Sequence, residues 1–450
     1  MRSIVVPTLA LVAALALPSI AEAGARRRIR VVGAPAAPSA PVKSDEAVTE
    51  ILRRTPRGGI AQLPAGAFRT AVVIDRPMTL VASPAGTTFD ATGLSRPGIE
   101  VLAGVTDVVI DGVRIVGATD GLVADGGNDR LAIRRVVALG CAGRGARVAS
   151  SADVTIDRAT FDGNGTGGLD LIAEGARLTG LSFHANGGAA ATLAGRDVEL
   201  ADGVLEGGAE GVRFAGLRCR VFRTTMRDVA VAARFTSTSD TSTLSRCDVR
   251  GAASLAVTDE GSMFATIEGN RVDGTSSDAV RLLGSWHVVE GNVIVRAGGA
   301  GVVGRGTSLR VTENTMASPA ADGASLIGDG NTIEANKITG AGGAGVRVAG
   351  ASCVIAMNEC PGAMREGVSL VGAHNIVVGN RADAARLQGV LVTGDANMIQ
   401  GNQLLGTGAA GIRIGGGTAN VVTSNTILRC GGRGFEDAGV ATAIENNRID

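Results

Sequence analysis

The chain has no tyrosine, one tryptophan and nine phenylalanines in 450 residues. A globular core of this length ordinarily relies on large aromatic anchors. The shortage points instead to an interior thin enough to be filled by Val, Ile, Leu and Ala. Excess charge is missing too, because 43 Lys and Arg balance 43 Asp and Glu. That balance excludes the basic footprint of a nucleic-acid binder and offers no bulk attraction to an anionic polymer. There are three histidines, His184, His287 and His374, none in a His-x-His or Asp-x-His phrase, and the six cysteines form no Cys-x-x-Cys pair. No metal is therefore expected, and no motif indicates calcium or any other cofactor. Helical periodicity is absent beyond Arg54, which excludes repeat classes that need a helix in every unit.

Glycine is plentiful, with 67 residues, and so is repetition. Asn270, Asn292, Asn314, Asn336, Asn358, Asn380 and Asn402 follow one another at a step of 22, and Asn425 and Asn447 continue the series after a one-residue slip. An apolar residue stands three places before each Asn (Ile267 through Ile444) and another two places after it (Val272 through Ile449). A third ladder runs Val280, Val302, Ala324, Val346, Val368, Val390, Ile412 and Phe435, usually behind a glycine. Each pulse alternates apolar and polar residues, the period of a half-buried strand, and is too short for a helix.

Three such strands per period, each pairing with its equivalent in the next period, make an all-β, single-stranded parallel β-helix of about seventeen coils, each rising about 4.8 Å. The Asn column is expected to sit at left-handed corners with its amides bonded along the column. The glycine before the third strand is expected to permit a tight corner. Upstream, one column reads Ile115, Val137, Phe161, Phe183, Leu205, Met226 and Val249. Its partner column reads Ile110, Ile156, Leu178, Leu200, Val221 and Leu244.

Residues 1–23 read as a secretory signal, with Arg2, an apolar centre from Ile4 to Leu17 and the small-x-small pattern Ala21-Glu22-Ala23. Cleavage there would leave a chain with no membrane-spanning helix, in the periplasm or outside the cell. Residues 24–43 are an Ala/Pro-rich linker. Residues 44–450 form the β-helix, and 44–55 a short amphipathic helix capped by Ser44 that covers its first coil. The segment Thr236 to Ser245 reads as a Ser/Thr-rich corner. The last coil has no cap of its own, so the carboxy-terminal end is expected either to be covered by its own turn or to meet another subunit or surface.

The phrases NTIEANKITG, NIVVGNRA and GVRVAG, with the opening IAQLPAGAFRTAVVIDRPMTLVAS, resemble right-handed parallel β-helix proteins of the pectin-lyase-like superfold over about residues 44–450. The resemblance implies a right-handed coil. It does not fix an activity, since that superfold carries lyases, hydrolases, epimerases, accessory proteins and surface proteins. The Asp-Pro-His-Asp phrase of its uronan epimerases, the four phrases of its polygalacturonases and the Arg-rich phrase of its pectate lyases are all absent.

Side chains outward on neighbouring coils stack, and this yields the candidate site. Phe264 falls beside Trp286 and Glu268 beside Glu290, with Arg310 one coil further. The aromatic pair would hold a sugar ring. Two carboxylates roughly 5 Å apart stand near the spacing of a retaining glycosidase pair. A second column places Asp278, Asp322 and Glu366 at a corner, with Arg281, Arg347 and Arg413 outward on the next strand, a charged groove suited to a polyuronide. His287 falls at an inward site, as a hydrogen-bonded structural histidine. Cys353 and Cys360 fall at inward sites as free thiols.

Three readings stay open. One is a binder of cell-envelope or extracellular polysaccharide, or an enzyme acting on it through a divergent site. Another is a purely structural or surface-recognition solenoid. The third is a periplasmic accessory protein resembling the copper-site assembly factors of nitrous oxide reductase, against which the few histidines and scattered cysteines argue.

Overall fold

The computed structural model describes residues 43–450; the expected signal and most of the linker lie outside the described residues. One helix, Glu46–Arg54, precedes the strands. Val48 is buried, and Ile51 and Leu52 pack against the first coil. Asp45 rather than Ser44 occupies the N-cap, and no side chain bonds there. The other end is held by Arg76, whose guanidinium donates to the carbonyls of Leu52 and Thr55.

The strands then wind as parallel ladders. The first sheet has eighteen strands, from Gly59–Gln62 to Ala443–Glu445. The second runs from Gly66–Phe68 to Lys337–Thr339, and after the bridges Lys337–Glu359–Arg381 continues to Arg448–Ile449. The third has seventeen strands, from Val72–Ile74 to Phe435–Asp437. About eighteen turns result, one more than the spacing suggested, because the first coils lack the repeated phrase.

Register follows the apolar ladders: Val280 pairs with Val302, Val302 with Ala324, Ala324 with Val346 and Val346 with Val368. One upstream assignment was a residue off. Ala138, not Val137, lies between Ile115 and Phe161. The position is set by its depth in the coil, and the smaller side chain fits it. The interior is close-packed with aliphatic side chains, and among them Phe161 stacks on Phe183 at 5.2 Å and Phe214 on Phe235 at 4.3 Å.

The Asn column is buried and continuous. From Asn270 to Asn447 each side-chain amide donates to the next Oδ1 at 2.9 to 3.1 Å, and each backbone N–H donates to the same oxygen. The left-handed residue is not the Asn but the one before it, as in Glu313 (φ 57°), Ala335 (53°) and Met357 (52°). The Asn thus faces inward and satisfies backbone groups that the turn strands inside the core. The glycine before the third strand also has a different reason from the expected corner. A Cβ on Gly323 would lie 2.2 Å from Ile338 Cγ2 and 2.5 Å from the Gly345 carbonyl, so what it permits is close packing across the coil.

Candidate functional site

Where each third-sheet strand turns into the next first-sheet strand, one residue per coil takes the left-handed conformation. Thr241, Ser308, Gly330, Ser352 and Ala396 fill this corner in other coils, with φ between 51° and 66°. In two consecutive coils it is filled by Phe264 (φ 58°) and Trp286 (φ 59°). Bulky side chains are disfavoured there by about 1–2 kcal/mol each. The flanking bridge Met263–Ser285 sets the two in register. Their rings stack at 5.2 Å with planes 12° apart. Both are open to solvent, at 47% and 45% exposure. Every other phenylalanine is buried or half-buried. The spacing therefore brought together the residues it promised. Met263, next to Phe264, and Leu283, three residues before Trp286, are exposed too and were missed.

Glu268 pairs with Glu290 in register on adjacent strands of the first sheet, both exposed. Arg310 is one strand on, but register sets it over Val288 rather than over Trp286 or Glu290. The face thus carries aromatics along one edge and carboxylates along the other, with Arg310 between them.

The second charged column is spent on itself. Arg281 reaches Asp278 at 2.7 Å, and Asp278 also accepts from the Ala300 N–H at 2.9 Å. Arg347 reaches Asp322 at 2.7 Å, and Arg413 lies 3.8 Å from Glu436. Glu366 is buried beside Arg365. These charges neutralise one another along the third sheet and do not form the open polyuronide groove that the spacing suggested.

His287 is fully buried, as expected for an inward site; its Nδ1 accepts from the Ala265 N–H at 3.1 Å. A partner that the sequence did not signal is Asp259, whose Oδ1 lies 3.6 Å from His287 Nε2. Cavities of about 350 and 550 Å³ lie on earlier coils, the first lined by Asp129, Ser151 and Glu174, the second by Asp153, Arg177 and Glu199. The Phe264–Trp286 edge is open to solvent. No helix among the described residues is long and apolar enough to cross a membrane.

Comparison with known proteins adds the following. A family model described as a right handed beta helix region matches residues 322–450, and one described as periplasmic copper-binding protein (NosD) matches residues 216–359. Among curated proteins, none matches this sequence. Of solved structures, the N-terminal fragment of bacteriophage phi29 gene product 12 superposes with a TM-score of 0.56 at 11% identity, covering 90% of this chain and 91% of that one. The pre-mature form of the same phage protein gives 0.48 at 10%, covering 88% and 69%. A mutant of the periplasmic alginate epimerase AlgG gives 0.27 at 10%, covering 84% and 78%.

Copper, named by the second family description, finds no fitting donor set among the described residues. Cys219, Cys247 and Cys353 are buried on separate coils with their sulfurs against the carbonyls of Leu193, Val221 and Gly328. Burial pushes the Cys219 thiol up to about 11 and Cys247 to about 12, away from the thiolate a metal needs. His287 Nδ1 is committed to a backbone N–H. Among the described residues no three His, Cys, Asp or Glu side chains gather to hold an ion. What the ladders, their register and the matched repeats agree on is architecture: the chain is a right-handed parallel β-helix repeat protein.

Proposed function

We propose that this is an exported β-helix that binds cell-envelope or extracellular polysaccharide on the face running from Phe264 and Trp286 to Glu268, Glu290 and Arg310. The observation that carries this reading is the aromatic pair. The chain's one tryptophan and its one exposed phenylalanine stand on consecutive coils, at a left-handed backbone position that other coils fill with small or polar residues. Strain of that kind persists where something else is gained. Stacked, half-exposed rings on a rigid scaffold leave their edges and an outer face for the apolar side of a sugar, and the flanking carboxylates and Arg310 suit its hydroxyls. The Asp278–Arg281 pair, bound to itself, is at most a peripheral polar contact.

The test is retardation of the mature chain in gels containing neutral or uronic-acid polysaccharides, with and without calcium, alongside an assay for released ends. Retardation that is lost in Trp286→Ala and Phe264→Ala supports the reading. Released product that disappears in Glu268→Gln or Glu290→Gln would make the protein an enzyme. No retardation on any polymer would sink the proposal and favour a structural solenoid.

A further inference from the structure

Just inside the corner that carries Phe264 and Trp286, several coils place a side chain that accepts a hydrogen bond from a backbone N–H one coil earlier. Asn331 Oδ1 accepts from Leu309, Asn375 Oδ1 from Cys353 and Ser242 Oγ from Cys219, at 2.7 to 3.1 Å. His287 fills the same place in the Trp286 coil, with Nδ1 accepting from Ala265. Ala265 follows Phe264 in the chain, and His287 follows Trp286. One bond therefore ties the two aromatic corners together.

Unlike an amide oxygen, this acceptor titrates. With Nδ1 accepting, the proton of the neutral ring sits on Nε2. That atom makes no hydrogen bond and faces the Asp259 carboxylate at 3.6 Å. A second proton on Nδ1 sets an N–H against the Ala265 N–H, two donors across 3.1 Å. The charged groups facing the ring are Asp259 and, further off, Asp240. Asp259 accepts from the N–H groups of Gly261, Ser262 and Leu283 and from the Ser262 hydroxyl, and Asp240 accepts from Met263 N–H. Both carboxylates are thus tied into the two segments that carry the aromatics.

We infer that His287 is a positioning residue for the Phe264–Trp286 edge, and that its protonation in acid loosens this edge and releases what is bound there. For its ligand the inference rests on the polysaccharide reading; for the switch it does not. Burial holds the imidazole below its ordinary value of 6.5, against the opposing pull of Asp259. The fold therefore favours the neutral ring. Its stabilising contribution is complete above that value and is lost as pH falls below it.

Trp286 is the only tryptophan and there is no tyrosine, so intrinsic emission reports this corner alone. The wild-type chain should show an emission transition with its midpoint below pH 6.5 while far-ultraviolet circular dichroism stays constant. Exchange of the Ala265 amide, corrected for its intrinsic pH dependence, should quicken about tenfold over the same range. His287→Asn restores the acceptor used in other coils and should abolish both changes. Asp259→Asn removes a charge that favours the imidazolium and should move the midpoint to lower pH; if His287→Asn does not fold, this shift decides. Polysaccharide held at neutral pH should be released in acid by wild type and retained by His287→Asn. A flat wild-type emission curve, or a transition that persists in His287→Asn, overturns the switch. Failure to bind polysaccharide at neutral pH overturns the ligand reading, and the emission and exchange results still decide the switch.

Discussion

Replacing Asn336 by alanine tests whether the amide column holds the later coils together. Asn336 is 1% exposed. Its Oδ1 accepts from the Asn314 backbone and side-chain N–H groups at 2.9 and 3.0 Å, and its Nδ2 donates to the carbonyls of Val311 and Glu334 and to Asn358 Oδ1 at 2.8 to 3.0 Å. Alanine leaves at least the Asn314 N–H and the Val311 carbonyl short of a partner inside the core. A buried group left unsatisfied costs about 1–3 kcal/mol. Two give about 2–6, and a water entering the vacated space brings the sum toward the lower end, to about 3 kcal/mol.

Asn336→Asp keeps the acceptor but loses the donor and buries a charge, so at neutral pH it should be worse than alanine and should recover in acid. Asn447, half-buried at the end of the column, makes the same bonds to Asn425. Water reaches it, and its replacement by alanine should cost less than about 1 kcal/mol. Each coil touches only its neighbours, so unfolding is not one transition, and the readout is native-state hydrogen exchange of amides between residues 289 and 358. Opening energies in Asn336→Ala within about 0.5 kcal/mol of wild type would refute the idea that the amides hold the coils.

Other expectations follow from the same packing. Val368→Asp puts an unpaired charge at a fully buried ladder position, so soluble yield and strand signal in circular dichroism should both collapse, a loss of several kcal/mol. Gly323→Ala brings a Cβ within 2.2 Å of Ile338 Cγ2 and should lower the opening energies of the surrounding coils by about 1–3 kcal/mol in native-state hydrogen exchange; unchanged exchange would show that the coil has room to give. Five of the six cysteines are buried and only Cys430 is partly open, and burial pushes Cys360 up to about 12. A native thiol titration should therefore register Cys430 first and the other five only after denaturation.

The later coils were legible because the same side chain recurs at the same depth. A column of nine asparagines or eight third-strand residues averages out any one exception. Where repetition failed, so did the reading. Val137 drew the eye from Ala138 because hydrophobicity was the only guide to depth. The asparagines were placed at the left-handed corner because asparagine tolerates it, whereas the structure uses the preceding residue and turns the amide inward. The Phe264–Trp286 pair was visible from the 22-residue spacing alone. Asp259 was not, since it contacts His287 across a turn and shares no phrase with it. Nor was the mutual neutralisation of the third-sheet charges visible. Long side chains choose partners within reach of their rotamers, and spacing gives only the attachment points.

The same repetition bears on whether the Glu268–Glu290 column catalyses. Dividing acid and base roles between two carboxylates requires unlike surroundings, one dry and one wet. A solenoid tends to repeat surroundings by translation. Glu268 and Glu290 occupy the same position on neighbouring strands, and both are open to water. Breaking that equivalence takes a long loop or an inserted wall, and here the turns between the three sheets stay short on both coils. The aromatic pair needs no such asymmetry. Two rings stacked one coil apart present their edges and outer faces as one apolar patch. Polysaccharide binding, as proposed, therefore rests on the aromatic pair and not on the carboxylates.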